Sequence, residues 1–307
     1  MISYLSKKCK AFACINGNIV KIKKGYICEE GILKKIYSAG NIVTYNVDTN
    51  ISYKEEVDAD ASVLNPSTFT PTKSGYTFVG WREDKTASSS VLTSKVMGDN
   101  PITLYAVFRK AITLTTRISG ASSTQTGYQY YNNGNIVNPT FTVANPTKSG
   151  WSFLGWSVSS SSTTVSYSTI SNRAFSANTT VYAVFKVPDS AITPADISVD
   201  FNNNLSRAST TYIDGTKYST IQIVATVIAK EQYDQNSATC GIAVNGVKYD
   251  LGRIPWESTS ISVNRSFSLA NSNSQQISLY ISSASCLIAQ VGCVFSSCKL
   301  TGRTVVG

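Results

Sequence analysis

Two acidic clusters bring carboxylates close enough in sequence for acid–base catalysis: Glu55-Glu56-Val57-Asp58-Ala59-Asp60 and the pair Glu83-Asp84. Paired carboxylates can cleave a glycosidic bond without an imidazole, one as acid and the other as base or nucleophile. That route matters because the chain has no histidine. Ser-His-Asp triads, Cys-His dyads and His-ligated metals are therefore excluded. Both clusters flank predicted turns with no evident cleft, so the expectation is solvated charge and a non-enzymatic protein.

Seven cysteines (Cys9, Cys14, Cys28, Cys240, Cys286, Cys293 and Cys298) form the next candidate set. An odd number leaves at least one without a partner in the chain, and no C-x-x-C pair is present. Buried free thiols are expected, with a disulfide among the four C-terminal cysteines as the alternative. No phosphate loop, dinucleotide fingerprint or calcium loop occurs, so no cofactor or metal is expected. Trp256, in Ile254-Pro255-Trp256-Glu257, is the candidate ligand contact, because an aromatic ring on a loop can stack on a sugar. Its competing role is to cover the end of a β-sandwich. Asn202-Asn203-Asn204 and Asn271-Ser272-Asn273-Ser274 read as polar turns.

These residues sit in a chain dominated by internal repeats. Near the start, Phe12-Ala13-Cys14-Ile15-Asn16-Gly17 and Ile19-Val20-Lys21-Ile22 recur as Tyr26-Ile27-Cys28-Glu29-Glu30-Gly31 and Ile32-Leu33-Lys34-Lys35-Ile36. Each unit reads strand, glycine turn, strand. A lone hairpin is marginal in water, so this pair should pack on a neighbouring copy or a larger assembly.

A longer repeat fills the middle. Pro71-Thr72-Lys73-Ser74-Gly75-Tyr76-Thr77-Phe78-Val79-Gly80-Trp81 recurs as Pro146-Thr147-Lys148-Ser149-Gly150-Trp151-Ser152-Phe153-Leu154-Gly155-Trp156. Each copy closes on a matching strand, Leu104–Phe108 and Val181–Phe185. The Pro and Lys-Ser-Gly segment predicts a chain reversal. Strict alternation then places Tyr76, Phe78 and Gly80 on one face and Thr77, Val79 and Trp81 on the other. A glycine before the tryptophan leaves room for a close approach. Tyr76, Phe78, Trp81, Tyr105 and Phe108, with Trp151, Phe153, Trp156, Tyr182 and Phe185, are expected to form the module cores. The Ser/Thr-rich stretch 157–164 reads as a surface loop.

The chain has 307 residues, 42% hydrophobic and 15% charged. That supports two or three domains and excludes wholesale disorder. The net charge is +9, concentrated at the start: residues 1–40 carry eight Lys and two Glu. Residues 111–187 carry four basic residues and no acid, and residues 188–307 carry eight of each sign. The N-terminal lysines interleave with apolar residues, which reads as solvated hairpin faces rather than a nucleic-acid patch. The first residues lack the roughly 7–15-residue apolar core of a secretory signal. No run approaches the about 18 apolar residues of a membrane span.

The segments Thr72–Trp81 with Leu104–Phe108, and Thr147–Trp156 with Val181–Phe185, resemble the Listeria–Bacteroides repeat, also called the internalin B-repeat family. That resemblance implies a small β-grasp-like module used as a spacer or adhesive unit in extracellular and virion proteins. Phe108 and Phe185 stand where the family usually closes on tryptophan. The polar, tyrosine-rich stretch Gln125–Asn138 departs from the pattern before the second motif. The N-terminal hairpins are similar to short repeats of bacteriophage tail and other virion-appendage proteins.

Residues 188–307 begin with a Pro-containing linker. Alternation then runs through Ile221, Ile223, Ala225 and Val227, and again through Ile277, Leu279 and Ile281. Val244-Asn245-Gly246-Val247 is a type I′ hairpin signal, and Val305-Val306 reads as a last strand of this domain.

The resulting expectation is a mainly β, elongated multidomain chain. Residues 1–40 form hairpin repeats that dock on a particle, and 41–110 and 111–187 form two B-repeat-like modules. Residues 188–307 form a β-sandwich or jelly-roll. The expected function is a structural phage virion appendage, fibre-like, that attaches to the bacterial host surface. Its expected partners are other virion proteins at the N-terminal segment, a bacterial surface glycan or protein at the C-terminal domain, and further copies of itself. No nucleic acid partner and no membrane span are expected, and the expected location is the virion. A bacterial surface or secreted adhesin is the alternative, and a tail-borne glycan depolymerase the second.

Overall fold

A computed structural model describes the backbone of residues 12–15, 18–21, 24–29, 32–38, 40–192, 197–200, 209–229, 237–254, 260–285 and 290–307. Side chains are described for 40–192, 210–224, 241–252, 262–280 and 298–307. Every element among the described residues is a β-strand. Two N-terminal hairpins pair β1 (Phe12–Ile15) with β2 (Asn18–Lys21) and β3 (Lys24–Glu29) with β4 (Ile32–Ser38). Cys14 lies opposite Ile19 and Cys28 opposite Leu33, the same place in each hairpin.

The first long module is a mixed sheet. β5 (Asn41–Asp48) and β6 (Ile51–Val57) form an antiparallel hairpin. β7 (Thr77–Arg82) and β8 (Ile102–Ile118) pair antiparallel, and β5 runs parallel to β8 from Val43–Ile102 to Asn46–Tyr105. That sheet matches a β-grasp-like plan, but no helix lies across it. Residues 58–76 carry Pro66 and Pro71, which cannot donate to a helical ladder. Val43, Tyr45, Trp81, Leu104 and Phe108 make the core beneath, each at most 1% exposed.

β8 does not stop at the expected boundary between residues 110 and 111. It continues for 17 residues as one strand, closing the first module and opening the second. A tight turn at Ser119-Gly120, both at positive φ, leads to β9 (Ala121–Asn132) beside β8. A second such turn at Asn133-Gly134 leads to β10 (Asn135–Val137). The polar stretch before the second motif is therefore a strand pair. β11 (Thr140–Val143) and β13 (Ile170–Ala174) form a small two-stranded sheet. β12 (Ser152–Ser157) pairs antiparallel with β14 (Thr179–Lys186) as β7 does with β8.

The C-terminal domain is a β-sandwich. One sheet holds β15 (Ser190–Ile192), β16 (Ile197–Asp200), β18 (Tyr218–Ala229), β21 (Ser260–Ser268) and β23 (Gln290–Gly302). The other holds β17 (Ser209–Ile213), β19 (Ser237–Val244), β20 (Val247–Ile254) and β22 (Gln275–Ser285). Asn245 and Gly246 make the type I′ turn of β19–β20, with φ of 49° and 82°. Ile221, Ile223 and Leu300 from the first sheet meet Ile242, Ile277 and Leu279 from the second.

β24 (Thr304–Val306) corrects one expectation. It leaves the sandwich and pairs antiparallel with β14 of the second module. The exit is fixed by Arg303. Its guanidinium donates to the carbonyls of Gly215 (2.9 Å) and Leu269 (2.9 Å), and its N–H to Lys217 O (2.7 Å). At Gly302 a Cβ would fall 1.6 Å from Val187 O, so only glycine lets the two backbones cross.

Cys298 is a free thiol buried in the sandwich core, and burial pushes it up to about 11. At pH 8 its thiolate fraction is then about one in a thousand. Iodoacetamide followed by peptide mass mapping is expected to leave Cys298 unmodified until the sandwich unfolds. Rapid labelling of Cys298 in the native chain would contradict its burial.

Candidate functional site

The richest polar cluster lies where the first module meets β9 and β10. It is built from the turn before β7. Lys73 Nζ meets Asp48 Oδ2 at 2.6 Å and sits 3.7 Å from the centre of the Tyr131 ring. The Tyr131 hydroxyl donates to the same carboxylate. Tyr76 stacks obliquely on Tyr131, ring centres 6.1 Å apart, and donates its hydroxyl to Gln129 Oε1. Gln129 in turn donates Nε2–H to Asn138 Oδ1. Alongside, the Asn132 amide donates to the carbonyls of Asp84 and Thr86, each at 3.0 Å, and Asn135 to Lys85 O at 2.9 Å. The cluster welds the first module to the following hairpin.

Electrostatics reinforce the weld. Burial works to raise the Asp48 carboxyl, but Lys73, the Tyr131 hydroxyl and the Thr49 N–H together hold it down at about 2. Burial likewise opposes the Lys73 charge, while Asp48 and Tyr131 pull its pKa up on balance. A folded pKa below the ordinary value contributes stability above the unfolded pKa and loses it as pH falls. Asp48→Asn is therefore expected to cost about 1–2 kcal/mol at pH 7. The gap from the parent should close between pH 4 and 2 in urea titrations. A gap unchanged at pH 2 would refute the assignment to this carboxylate.

Three of the acidic candidates, Glu55, Glu83 and Asp84, hold neighbouring groups. Glu55 is not solvated: it is 9% exposed and accepts from the N–H groups of Thr68 (2.6 Å) and Ser67 (3.2 Å) and from the Thr68 hydroxyl. Burial raises its carboxyl, and these donors more than offset that, leaving it below the usual range. Glu83 pairs with Lys95 at 2.6 Å and Asp84 with Arg82 at 2.7 Å, around a shallow depression also lined by Ser90, Val91 and Leu92. Among the described residues no three His, Cys, Asp or Glu gather to hold a metal. Trp256 and Asn202-Asn203-Asn204 lie outside the described residues. The Asn271–Ser274 turn is exposed and is held by the buried Gln275 amide, which donates to Ser272 Oγ and accepts from Ala270 N–H.

The aromatic candidates divide by burial. Trp81, Phe108, Trp156 and Phe185 are at most 1% exposed, whereas Tyr76, Phe78, Tyr105, Trp151, Phe153 and Tyr182 are half-buried. Strict alternation fails at one point. The ladder slips between Phe78 and Gly80, and between Phe153 and Gly155, so Val79 and Leu154 are extra residues. The bulge brings Phe78 and Trp81 to 5.2 Å, and Phe153 and Trp156 to 5.4 Å, instead of on opposite faces. Trp81 Nε1–H donates to Leu64 O at 3.0 Å, while the buried Trp156 Nε1–H has no such acceptor among the described residues.

Two copies of a bulged aromatic strand on a closing strand are thus in place. Both modules match the Listeria–Bacteroides repeat domain. The matched residues are 42–107 and 113–184. The first repeat thus ends, and the second begins, inside β8. Among solved structures, the chain is similar to one from infectious bursal disease virus Gt strain, at 12% identity and a TM-score of 0.28, over 88% of this chain and 53% of that one. It is also similar to one from the Gx strain of the same virus, at 8% identity and a TM-score of 0.24, over 96% and 63%. The chain therefore spans less than two thirds of either relative.

Sequence reasoning missed Asp48, Gln129, Tyr131 and Asn132. The Gln129-Tyr130-Tyr131-Asn132-Asn133-Gly134 run was its one local signal: a strand ending in a type I′ turn.

Proposed function

We propose that this chain is a structural, non-enzymatic component of a bacterial virus appendage that attaches the particle to its host. The N-terminal hairpins dock on other virion proteins, the two repeats form a stalk, and the C-terminal sandwich contacts a bacterial surface glycan or protein. Several copies assemble together, so that weak single contacts sum through avidity.

The observation that carries this reading is the junction. β8 is common to both repeats, and the Asp48–Lys73–Tyr131 cluster locks the first repeat to the hairpin that follows. Flexible linkers let tandem modules move independently; here the chain passes from one repeat to the next along a continuous strand, with the half-buried Lys73–Asp48 pair beside it. A continuous strand in place of a loop is what a spacer under load requires.

The test uses the fluorescently labelled full chain on a panel of whole bacteria, read by flow cytometry, with unlabelled chain as competitor. Selective, competable staining of a few strains is expected. Staining of no strain would overturn attachment, and release of reducing ends from purified capsular polysaccharide would overturn the non-enzymatic assignment. Immunogold label on cell envelopes instead of viral particles would favour the adhesin reading.

A further inference from the structure

The two repeats solve the same edge in two ways. In repeat 1 the edge of the closing strand is covered by β9. The two-residue turn at Ser119-Gly120 sets Thr115 beside Thr124, with their hydroxyls 3.0 Å apart. Continuing that register places Tyr131 opposite Phe108 and Gln129 opposite Lys110. In repeat 2 the matching edge is covered by β24, with Val305 opposite Phe185 and Thr304 opposite Lys186. Gly307 N–H donates to Ala183 O at 2.7 Å and Val187 N–H to Arg303 O at 3.1 Å, which completes the ladder. Arg303-Thr304-Val305-Val306 therefore stands where Gln129-Tyr130-Tyr131-Asn132 stands one repeat earlier.

The backbone match is good, but the side chains differ. Tyr131 supplies the ring under Lys73 and beside Tyr76, and Gln129 takes the Tyr76 hydroxyl. Their counterparts are Val305, which is short, and Arg303, whose guanidinium is turned into the sandwich. Lys148 and Trp151, the counterparts of Lys73 and Tyr76, have no tyrosine or carboxylate of that kind: Lys148 Nζ lies 4.4 Å from the Trp151 ring centre and 5.5 Å from that of Phe185. No described acid pairs with Lys148, and residues 111–187 contain none.

We propose that repeat 2 carries a strand-acceptor site, the β14 edge from Ala183 to Val187 with Lys148 and Trp151 beside it, which β24 occupies in place of a following repeat. The partner it fits is a β-strand of the kind repeat 1 already holds, one bearing glutamine and tyrosine two residues apart. Such a strand adds main-chain hydrogen bonds along the edge and places its tyrosine on Lys148 and Trp151. While β24 is seated, the edge is guarded against open-ended pairing.

The probe is a synthetic peptide of residues 124–137, titrated by biolayer interferometry against the immobilised full chain. Val305 lies in a hydrogen-bonded pair with Phe185, so Val305→Pro removes a ladder donor. Val306 lies in the alternate pair, with its N–H directed outward, so Val306→Pro serves as the control. The peptide is expected to bind Val305→Pro at least tenfold more tightly than the parent or Val306→Pro. Adding Trp151→Ala, or replacing the peptide tyrosine that corresponds to Tyr131 by alanine, should reverse that gain. Equal binding to parent and Val305→Pro, or binding indifferent to Trp151, would overturn the proposal. Should Val305→Pro lose its cooperative melt, the chain ending at Arg303 gives the same comparison.

Discussion

Replacing Trp81 with alanine is expected to destabilise the first repeat by about 3–5 kcal/mol, the usual cost of deleting a buried large aromatic. Trp81 is 1% exposed, with ring centres of Tyr45, Phe78 and Phe69 at 5.0, 5.2 and 6.3 Å. Tyr45 cannot swing in to fill the void, because its hydroxyl is pinned on Val63 O at 2.9 Å. Burial, with Glu55 nearby, pushes that hydroxyl up to about 12, so it stays a donor throughout the neutral range. The substitution also strands the Leu64 carbonyl, which accepts the indole N–H. Trp151→Ala is the comparison: its half-buried ring should cost about 1 kcal/mol. Urea unfolding measures both, with hydrogen exchange read over residues 41–57 and 102–109 for Trp81→Ala and over 152–157 and 179–186 for Trp151→Ala. A Trp81→Ala loss below about 1.5 kcal/mol would mean that this core relaxes far more than its packing implies.

Gly155→Ala should be nearly as damaging, at about 2–4 kcal/mol, although it adds one methyl group. The residue closes the bulge of β12 at φ 145°, a conformation that side chains disfavour. A Cβ there would meet Val165 Cγ1 at 2.5 Å and Tyr167 O at 2.6 Å, so the strain cannot be relieved by turning one side chain. The strand would have to abandon the bulge, and Trp156 would rotate away from Phe153. Gly150→Ala separates the two causes. It also has positive φ, 76°, but open space around the added carbon, and should cost about 1 kcal/mol. Thermal unfolding by circular dichroism ranks the pair. Equal losses would show that conformation alone, without the close contact, sets the cost.

Most of the strands were legible because each carries its own signal. Ile221 and Ile223 alternate with polar residues, Asn245-Gly246 can only turn one way, and the hairpin cysteines recur at one register. The bulge was half legible. The glycine before each tryptophan announced a close approach, but period-two counting put Phe78 and Trp81 on opposite faces. A single inserted residue reverses that assignment, and no local pattern marks which residue it is.

Glu55 shows a different limit. In sequence it is one acid among several beside a turn. In the fold it is a buried anchor for Ser67 and Thr68, because the chain between them returns over the sheet. Asp48, Lys73 and Tyr131 lie as far apart as 83 residues, and nothing in their own neighbourhoods pairs them.

The β class, the duplicated module and the aromatic identity of its cores follow from residue order alone, because side-chain periodicity, turn chemistry and repetition are written residue by residue. Residue order does not show that β8 is shared between repeats or that Thr304–Val306 leaves the sandwich to pair with repeat 2; packing settles both. A strand's partner depends on which edge is free once everything else has packed, and backbone hydrogen bonds are the same for every sequence that can reach that edge.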